Sequence, residues 1–427
     1  MTVDPGFFDD LRWRGLVHQW TGEDAFVSRL ARGPITVYGG FDPSAESLHI
    51  GNLVQLMLLR RFQRAGHRPI SVAGGATGMI GDPSGKSEER NLLGLDELEA
   101  NLDKIKPQLT RFLDFETAEN PAVLVNNATW LGEFGFLTFL REVGKHASVN
   151  VMLARESVKA RLSGDAGISY AEFSYSLLQA YDFVHLNREL GCELQIGGSD
   201  QFGNIVAGID LARRMHGVTL YGLTTPLITR SDGVKMGKTA EGAVWLDAAR
   251  TSPYAFYQWF VRVPDADAGA FLRSLTGLSR EEILALEEET AKAPAARAAQ
   301  KRLAHEITLL VHGPDGLAAA ERATAALFGG DLGGLSEADL LEIFADVPSV
   351  ELARSRLGEG LDPVEALTAA GLARSNGDAR RLLEAGGAYV NNRRVEPDRM
   401  LAASDLASET VMVLRAGKRT FALLRFV

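Results

Sequence analysis

The sequence predicts an α/β protein: a domain built on a parallel sheet, then an all-helical stretch, then a small α+β module. Three observations predict it. At residues 35–65 and 192–215 a short apolar strand runs through a turn into a helix, and each turn carries an acidic residue. Residues 251–330 are rich in helix formers and poor in Asn, Thr and β-branched runs. Residues 361–427 hold ten Lys and Arg against eight Asp and Glu, a net +2, while the rest of the chain carries −12.

A chain of 427 residues is too long for one ordinary core, so two or three domains are expected. Its 46% hydrophobic and 23% charged residues are those of a soluble globular protein. A net charge of −10 argues against a wholly basic surface but does not exclude a nucleic-acid partner, because the location of positive charge decides that. The single cysteine, Cys192, excludes an internal disulfide and a Cys-based zinc site, and a reducing cytoplasm is the expected setting. Residues 1–10 hold three aspartates and no apolar run, so no signal peptide is expected. No stretch has the roughly 18 consecutive apolar residues of a membrane span.

Residues 7–32 read as helix, with Thr21-Gly-Glu-Asp24 as a capping box. Residues 35–41 form a buried strand and Asp42 to Ser47 a turn. The next helix carries Ile50, Leu53, Val54, Met57, Leu58 and Phe62 at helical spacing and stops at Gly66. A strand entering a helix N-terminus aims backbone N–H groups at one sheet edge, where phosphates bind. There His49 adds a donor, and Gly51 lets a flat ring approach the backbone. Residues 69–73 are a second strand. The loop that follows is neither a P-loop, since only three residues separate Gly81 from Gly85, nor a dinucleotide fingerprint. In it Asp82 sits at a bend, and Lys86 and Arg90 either swing over a phosphate chain or stay solvated.

An amphipathic helix is expected over 95–113, and a strand over 122–126 that ends at Asn127 and Trp130. Residues 134–163 read as helix, with Phe136, Phe139, Leu140 and Val143 on a face that is either a subunit contact or core. In 172–184, Tyr175, Gln179 and Asp182 share one face of an otherwise apolar helix. Such a stripe needs partners, either from the protein or, as we favour, from a small polar ligand. After the strand at 192–196, Gly197 and Gly198 permit close approach of a sugar whose hydroxyls Asp200 can accept, as at a topological switch point. A strand over 223–229 leads to Lys235 and Lys238, a cationic clamp or an ordinary hairpin tip.

The order His49-Ile-Gly-Asn52, Gly197-Gly-Ser-Asp-Gln201, Lys235-Met-Gly-Lys-Thr239 resembles the HIGH and KMSKS signatures of class I aminoacyl-tRNA synthetases. The segments Tyr38-Gly-Gly-Phe-Asp-Pro43, Gly81-Asp-Pro-Ser-Gly-Lys86 and Leu178-Gln-Ala-Tyr-Asp182 are similar to the bacterial tyrosyl branch along almost the whole chain. That resemblance implies a Rossmann-like catalytic domain with ATP, carried with Mg²⁺, and L-tyrosine as substrates and tRNA(Tyr) as acceptor. It implies phenol contacts from Tyr38 and Asp182, and ammonium contacts from Tyr175, Gln179 and Asp82, with Gln201 near the carboxylate. It places Ser44 and His49 on phosphates, and Gly40, Gly51, Asn52, Gly198 and Asp200 around the nucleoside. Lys86, Arg90, Lys235, Lys238 and Thr239 would close on pyrophosphate. Asn52 departs from the last His of HIGH but keeps an amide donor. Gly39 stands where some members have a ribose-contacting Cys, and Gly237 and Thr239 replace two serines of KMSKS. No protein nucleophile or metal-ligand cluster is visible.

By the same resemblance, 1–245 is the catalytic domain with a dimerisation insertion, 246–330 an α-helical anticodon-side domain, 331–360 a linker, and 361–427 a ribosomal-protein-like RNA-binding module. A cytoplasmic homodimer is implied. The competing expectations are a tryptophanyl-type enzyme and a non-catalytic RNA-binding paralogue.

Overall fold

The computed structural model describes residues 4–84, 94–163, 167–227, 231, 238–239, 242–327, 329–345, 347–417 and 420–427. They form two compact units, Met1–Thr251 with Phe260–Val311, and Ser252–Trp259 with His312–Val427.

The first unit holds strands β1 (Gln19–Trp20), β2 (Thr36–Phe41), β3 (Arg68–Ala73), β4 (Val123–Asn126), β5 (Cys192–Gly198) and β6 (Tyr221–Thr225) in the order β1-β6-β5-β2-β3-β4. All pairs are parallel except β1 against β6. From β2 the chain steps to β3 and β4 on one side, while β5 and β6 fill the other. The switch therefore falls between β2 and β5, where a parallel sheet opens a crevice at its carboxyl ends. Two helices wall that crevice. Leu53–Arg64 buries Leu53, Leu56, Leu59 and Phe62. Tyr170–Leu190 is capped by the Ser169 hydroxyl and packs Ala180, Phe183 and Leu186 beside Tyr38, Ile70 and Val72. A short hairpin, β7 (Lys238–Thr239) with β8 (Gly242–Ala243), stands apart from this sheet.

Several expectations change. Residues 7–32 are two helices, Phe7–Trp13 and Glu23–Ala31, separated by β1. Thr21 does not cap the second, because its hydroxyl accepts the Gly222 N–H at 2.9 Å and Gly22 takes the cap position at φ 78°. The glycine-rich stretch after β3 contains a helix, Gly75–Ile80, and Asp82 follows it. Its glycines answer to crowding: a methyl group at Gly74 would collide with the Asp42 carboxylate, and one at Gly75 with the Asn126 amide. Residues 134–163 break into short helices. In that region Val143 is buried while Phe136, at 65% exposure, and Leu140 face outward, so the expected apolar face is split.

The second unit carries β9 (Ser349–Leu352), β10 (Ala388–Val390), β11 (Arg393–Arg394), β12 (Val411–Ala416) and β13 (Thr420–Phe426), in the order β11-β10-β12-β13-β9. Alternation puts Met412, Leu414, Ala422 and Leu424 into one core, with Val364, Leu367 and Leu383 from two short helices. Val411, Val413, Phe421 and Leu423 enter the opposite core with Ala323, Leu340 and Phe344. Residues 331–360 were expected to be a linker, but their described part is folded. Leu332, Leu335, Leu340 and Ile343 are buried, and β9 pairs with β13 in parallel. The flanking glycines suggested flexibility; the apolar residues between them decide otherwise.

Candidate active site

A cavity of about 370 Å³ opens at the carboxyl ends of β2, β5 and β6. Tyr38, from the middle of β2, lines it and is 2% exposed, and its hydroxyl has no hydrogen-bond partner among the described residues. Burial, reinforced by the neighbouring Asp182 charge, holds this phenol well above its usual pKa. Asp182 is buried too. Its Oδ1 accepts from Trp130 Nε1 at 2.8 Å and its Oδ2 from Asn127 Nδ2 at 3.0 Å. Desolvation pushes the Asp182 carboxyl up to about 7, against the pull of those two donors. Asn127 is fixed in turn, because its Oδ1 accepts the Ala76 N–H at 2.8 Å and its Nδ2 also reaches Thr77 Oγ1 at 3.0 Å.

A relay of amides runs along one wall. Asn204 Nδ2 donates to Gln179 Oε1 at 3.1 Å, and Gln179 Nε2 to Gln201 Oε1 at 3.3 Å. Gln201 Nε2 then donates to Asp82 Oδ2 at 2.5 Å, while Asp82 Oδ1 takes the Ser84 N–H. Each amide is thereby given one orientation. The Tyr175 hydroxyl donates to Asp42 Oδ2 at 3.2 Å, and Asp42 Oδ1 accepts from Thr77. The carboxylates of Asp42, Asp82 and Asp182 all line one cavity, a setting that favours a cationic group.

Of the residues singled out in the sequence, Tyr38, Gly40, Gly51, Asn52, Asp82, Tyr175, Gln179, Asp182, Gly198, Asp200 and Gln201 line this cavity. His49 lies in the adjoining turn, where its Nδ1 accepts the Gly51 N–H and its own N–H donates to Asn52 Oδ1, both at 3.0 Å. What Asn52 can offer a ligand is therefore its Nδ2 donor pair. Ser44 is exposed on the same turn and does not line the cavity. Lys86, Arg90 and Lys235 lie outside the described residues, and Lys238 and Thr239 are placed as the backbone of β7.

The sequence left Asp42, Thr77, Gln195 and Thr225 without a role, and read Asn127 and Trp130 only as a strand end. All but Trp130 line the cavity. Gln195 pairs with Tyr38 across β2 and β5, and its buried Oε1 is likewise unpartnered among the described residues. A polar residue inside a buried strand was the available signal.

A family model for class I tRNA synthetases (W and Y) matches residues 30–329, and one for the tyrosine–tRNA ligase SYY-like C-terminal domain matches 339–424. A tyrosine–tRNA ligase of Rhodopirellula baltica is 57% identical over 419 residues, covering 98% of this chain and 95% of that protein. One from Opitutus terrae is 53% identical, covering 98% and 99%. A C-terminally truncated mitochondrial tyrosyl-tRNA synthetase of Aspergillus nidulans superposes with a TM-score of 0.69 at 32% identity, covering 75% of this chain and 94% of that one. A tryptophanyl-tRNA synthetase of Encephalitozoon cuniculi, 14% identical with a TM-score of 0.53, covers 74% and 92% and shares the fold. With a motif order, a switch-point cavity and full-length relatives in agreement, this chain belongs to the tyrosine–tRNA ligase family of class I tRNA synthetases.

Proposed function

We propose that this chain activates L-tyrosine with ATP and transfers the tyrosyl group to the 3′ end of tRNA(Tyr). The observation that carries the specificity is that the Tyr38 hydroxyl, without a hydrogen-bond partner among the described residues, and the Asp182 carboxylate line the same space. A phenol both donates and accepts, so it can give its proton to Asp182 and take one from Tyr38. Phenylalanine would leave the Tyr38 hydroxyl unpaired and offer the buried Asp182 carboxylate no further donor, and tyrosyl enzymes are the familiar case of that discrimination.

Tyr175, Gln179 and Asp82 take the ammonium group, and Gln201 lies near the carboxylate. Asn52, Gly198 and Asp200 serve the ribose, while Gly40 and Gly51 leave room for the nucleotide. Ser44 and His49 meet the phosphates, and Lys86, Arg90, Lys235, Lys238 and Thr239 meet the departing pyrophosphate. The substrate carboxylate attacks the α-phosphorus and the bond to pyrophosphate breaks, giving tyrosyl-adenylate. A ribose hydroxyl of the tRNA then attacks the acyl carbon, releasing AMP. No protein nucleophile is needed, so catalysis is orientation and stabilisation of growing negative charge. Magnesium arrives on the phosphates of ATP; among the described residues no group of three His, Cys, Asp or Glu could hold a metal ion.

The domain roles follow the family: catalysis in 1–245, anticodon-side contacts in 246–330, RNA binding in 361–427. Arg374, Arg380, Arg381, Arg393 and Arg394 are exposed there, as phosphate contacts require. Phe136, Leu137, Val149 and Val151 are exposed apolar side chains available for pairing two copies, which we place in the cytoplasm. No described helix is long and apolar enough to cross a membrane.

Tyrosine-dependent ATP–pyrophosphate exchange is the test. Exchange with tryptophan alone would reassign the substrate, and RNA binding without exchange would leave a non-catalytic paralogue. A pH profile adds a second check. The phenol donates to ionised Asp182, which is protonated below about 7 in the empty site. Tyrosine binding therefore expels a proton, so affinity should rise between pH 6 and 8, by at most about tenfold per unit, and level off. Calorimetric titration should find the profile flat in Asp182→Asn. The same shift bears on stability: the native carboxyl keeps its proton between about 4 and 7 while the unfolded one loses it, so this group's contribution declines as pH rises through that window.

A further inference from the structure

The chain beyond β8 returns antiparallel to the turn that carries His49. Ile50 N–H donates to Val244 O at 3.0 Å and Leu246 N–H to Leu48 O at 2.8 Å, on either side of a bridge between His49 and Trp245. Asp247 N–H adds a bond to Ser47 Oγ at 3.1 Å, and Trp245 N–H one to Thr251 Oγ1 at 3.0 Å. The Trp245 indole meets the His49 imidazole edge to face, with centroids 6.1 Å apart and planes at 64°. Arg250 lays its guanidinium 3.6 Å from the centroid of the same indole. Because His49 Nδ1 accepts the Gly51 N–H, the neutral ring carries its proton on Nε2.

We infer that Trp245 is a positioning residue for His49: its indole, backed by Arg250, holds the imidazole so that Nε2–H is presented to the phosphates of ATP. This rests on the phosphate role proposed for His49. Among the described contacts of the ring, the Gly51 N–H fixes the position of Nδ1, and the indole packed against the imidazole restricts rotation about that bond. A donor displaced by about 1 Å loses much of its advantage in the transition state. The indole lies seven residues after Lys238 in the chain, on the segment that pairs with the His49 turn.

The test is a mutant cycle in the full-length enzyme, read by ATP–pyrophosphate exchange. Trp245→Ala should lower kcat by about tenfold or more and leave the KM for tyrosine within about twofold. Trp245→Phe should recover most of the loss. In a His49→Ala background Trp245→Ala should cost less than about twofold, because the group it orients is gone. A packing role alone would lower the melting temperature and cost the same factor in both backgrounds, which overturns the inference, as would an unchanged kcat in Trp245→Ala. Should Trp245→Ala not fold, Arg250→Ala, at an exposed position, carries the same cycle: a kcat loss confined to the His49 background supports the inference, and an equal or absent loss sinks it. His49→Ala with undiminished exchange would instead remove the phosphate role itself.

Discussion

Replacing Asp182 by alanine lowers kcat/KM for tyrosine activation by about one to two orders of magnitude. The carboxylate is the shared acceptor for Trp130 Nε1 and Asn127 Nδ2, and for the substrate phenol as proposed above. Its removal strands the phenol donor on binding, at about 1–3 kcal/mol where about 1.4 kcal/mol is a factor of ten, while the stranded Trp130 and Asn127 donors lower stability. The preference for tyrosine over phenylalanine should collapse with it. Asp182→Asn, which keeps one acceptor oxygen, should fall between the two. Nonspecific RNA binding should survive in both variants, and a parallel loss would mean that the protein had unfolded.

Glu172→Ala is the variant expected to lose most stability. Glu172 Oε2 meets Arg161 Nη2 at 2.9 Å, with both side chains 4% exposed, and Arg161 Nε and Nη2 also donate to Gly167 O. Removing the carboxylate alone leaves a buried cation without its counter-charge, at a cost of about 3–5 kcal/mol. Urea unfolding should register this as a lower midpoint. Arg161→Met combined with Glu172→Leu should recover most of it, since an apolar pair of similar volume needs no desolvation of charge. The pair ties the first turn of helix 170–190 to the preceding short helix, so Tyr175, one turn further on, should bind tyrosine less well in Glu172→Ala.

Much of this site is legible in the sequence, for a physical reason. Tyr175, Gln179 and Asp182 lie on one helix, so their spacing alone brings them together. Gly198 and Asp200 follow a buried strand into a helix, and only one geometry is common for that pattern. Asp42, Thr77 and Asn127 come from three separate connections, and no period in the chain relates them; only the closed sheet does. Gly74 and Gly75 misled the local reading because glycine usually marks a loop. Here they mark the place where a helix passes close to Asp42 and Asn126. Residues 331–360 failed for the converse reason, since glycines bracket the segment while Leu332, Leu340 and Ile343 between them are drawn into a core formed with strands some 70 residues away in sequence.

Both sheets finish in short strands. β1 and β11 have two residues each, and β4 and β9 four each, with Arg393 and Arg394 forming β11. A long bare strand border is a template on which further chains can stack, and brevity and charge both blunt it. Borders of this kind lower the tendency of the two sheets to recruit further chains when the protein is concentrated.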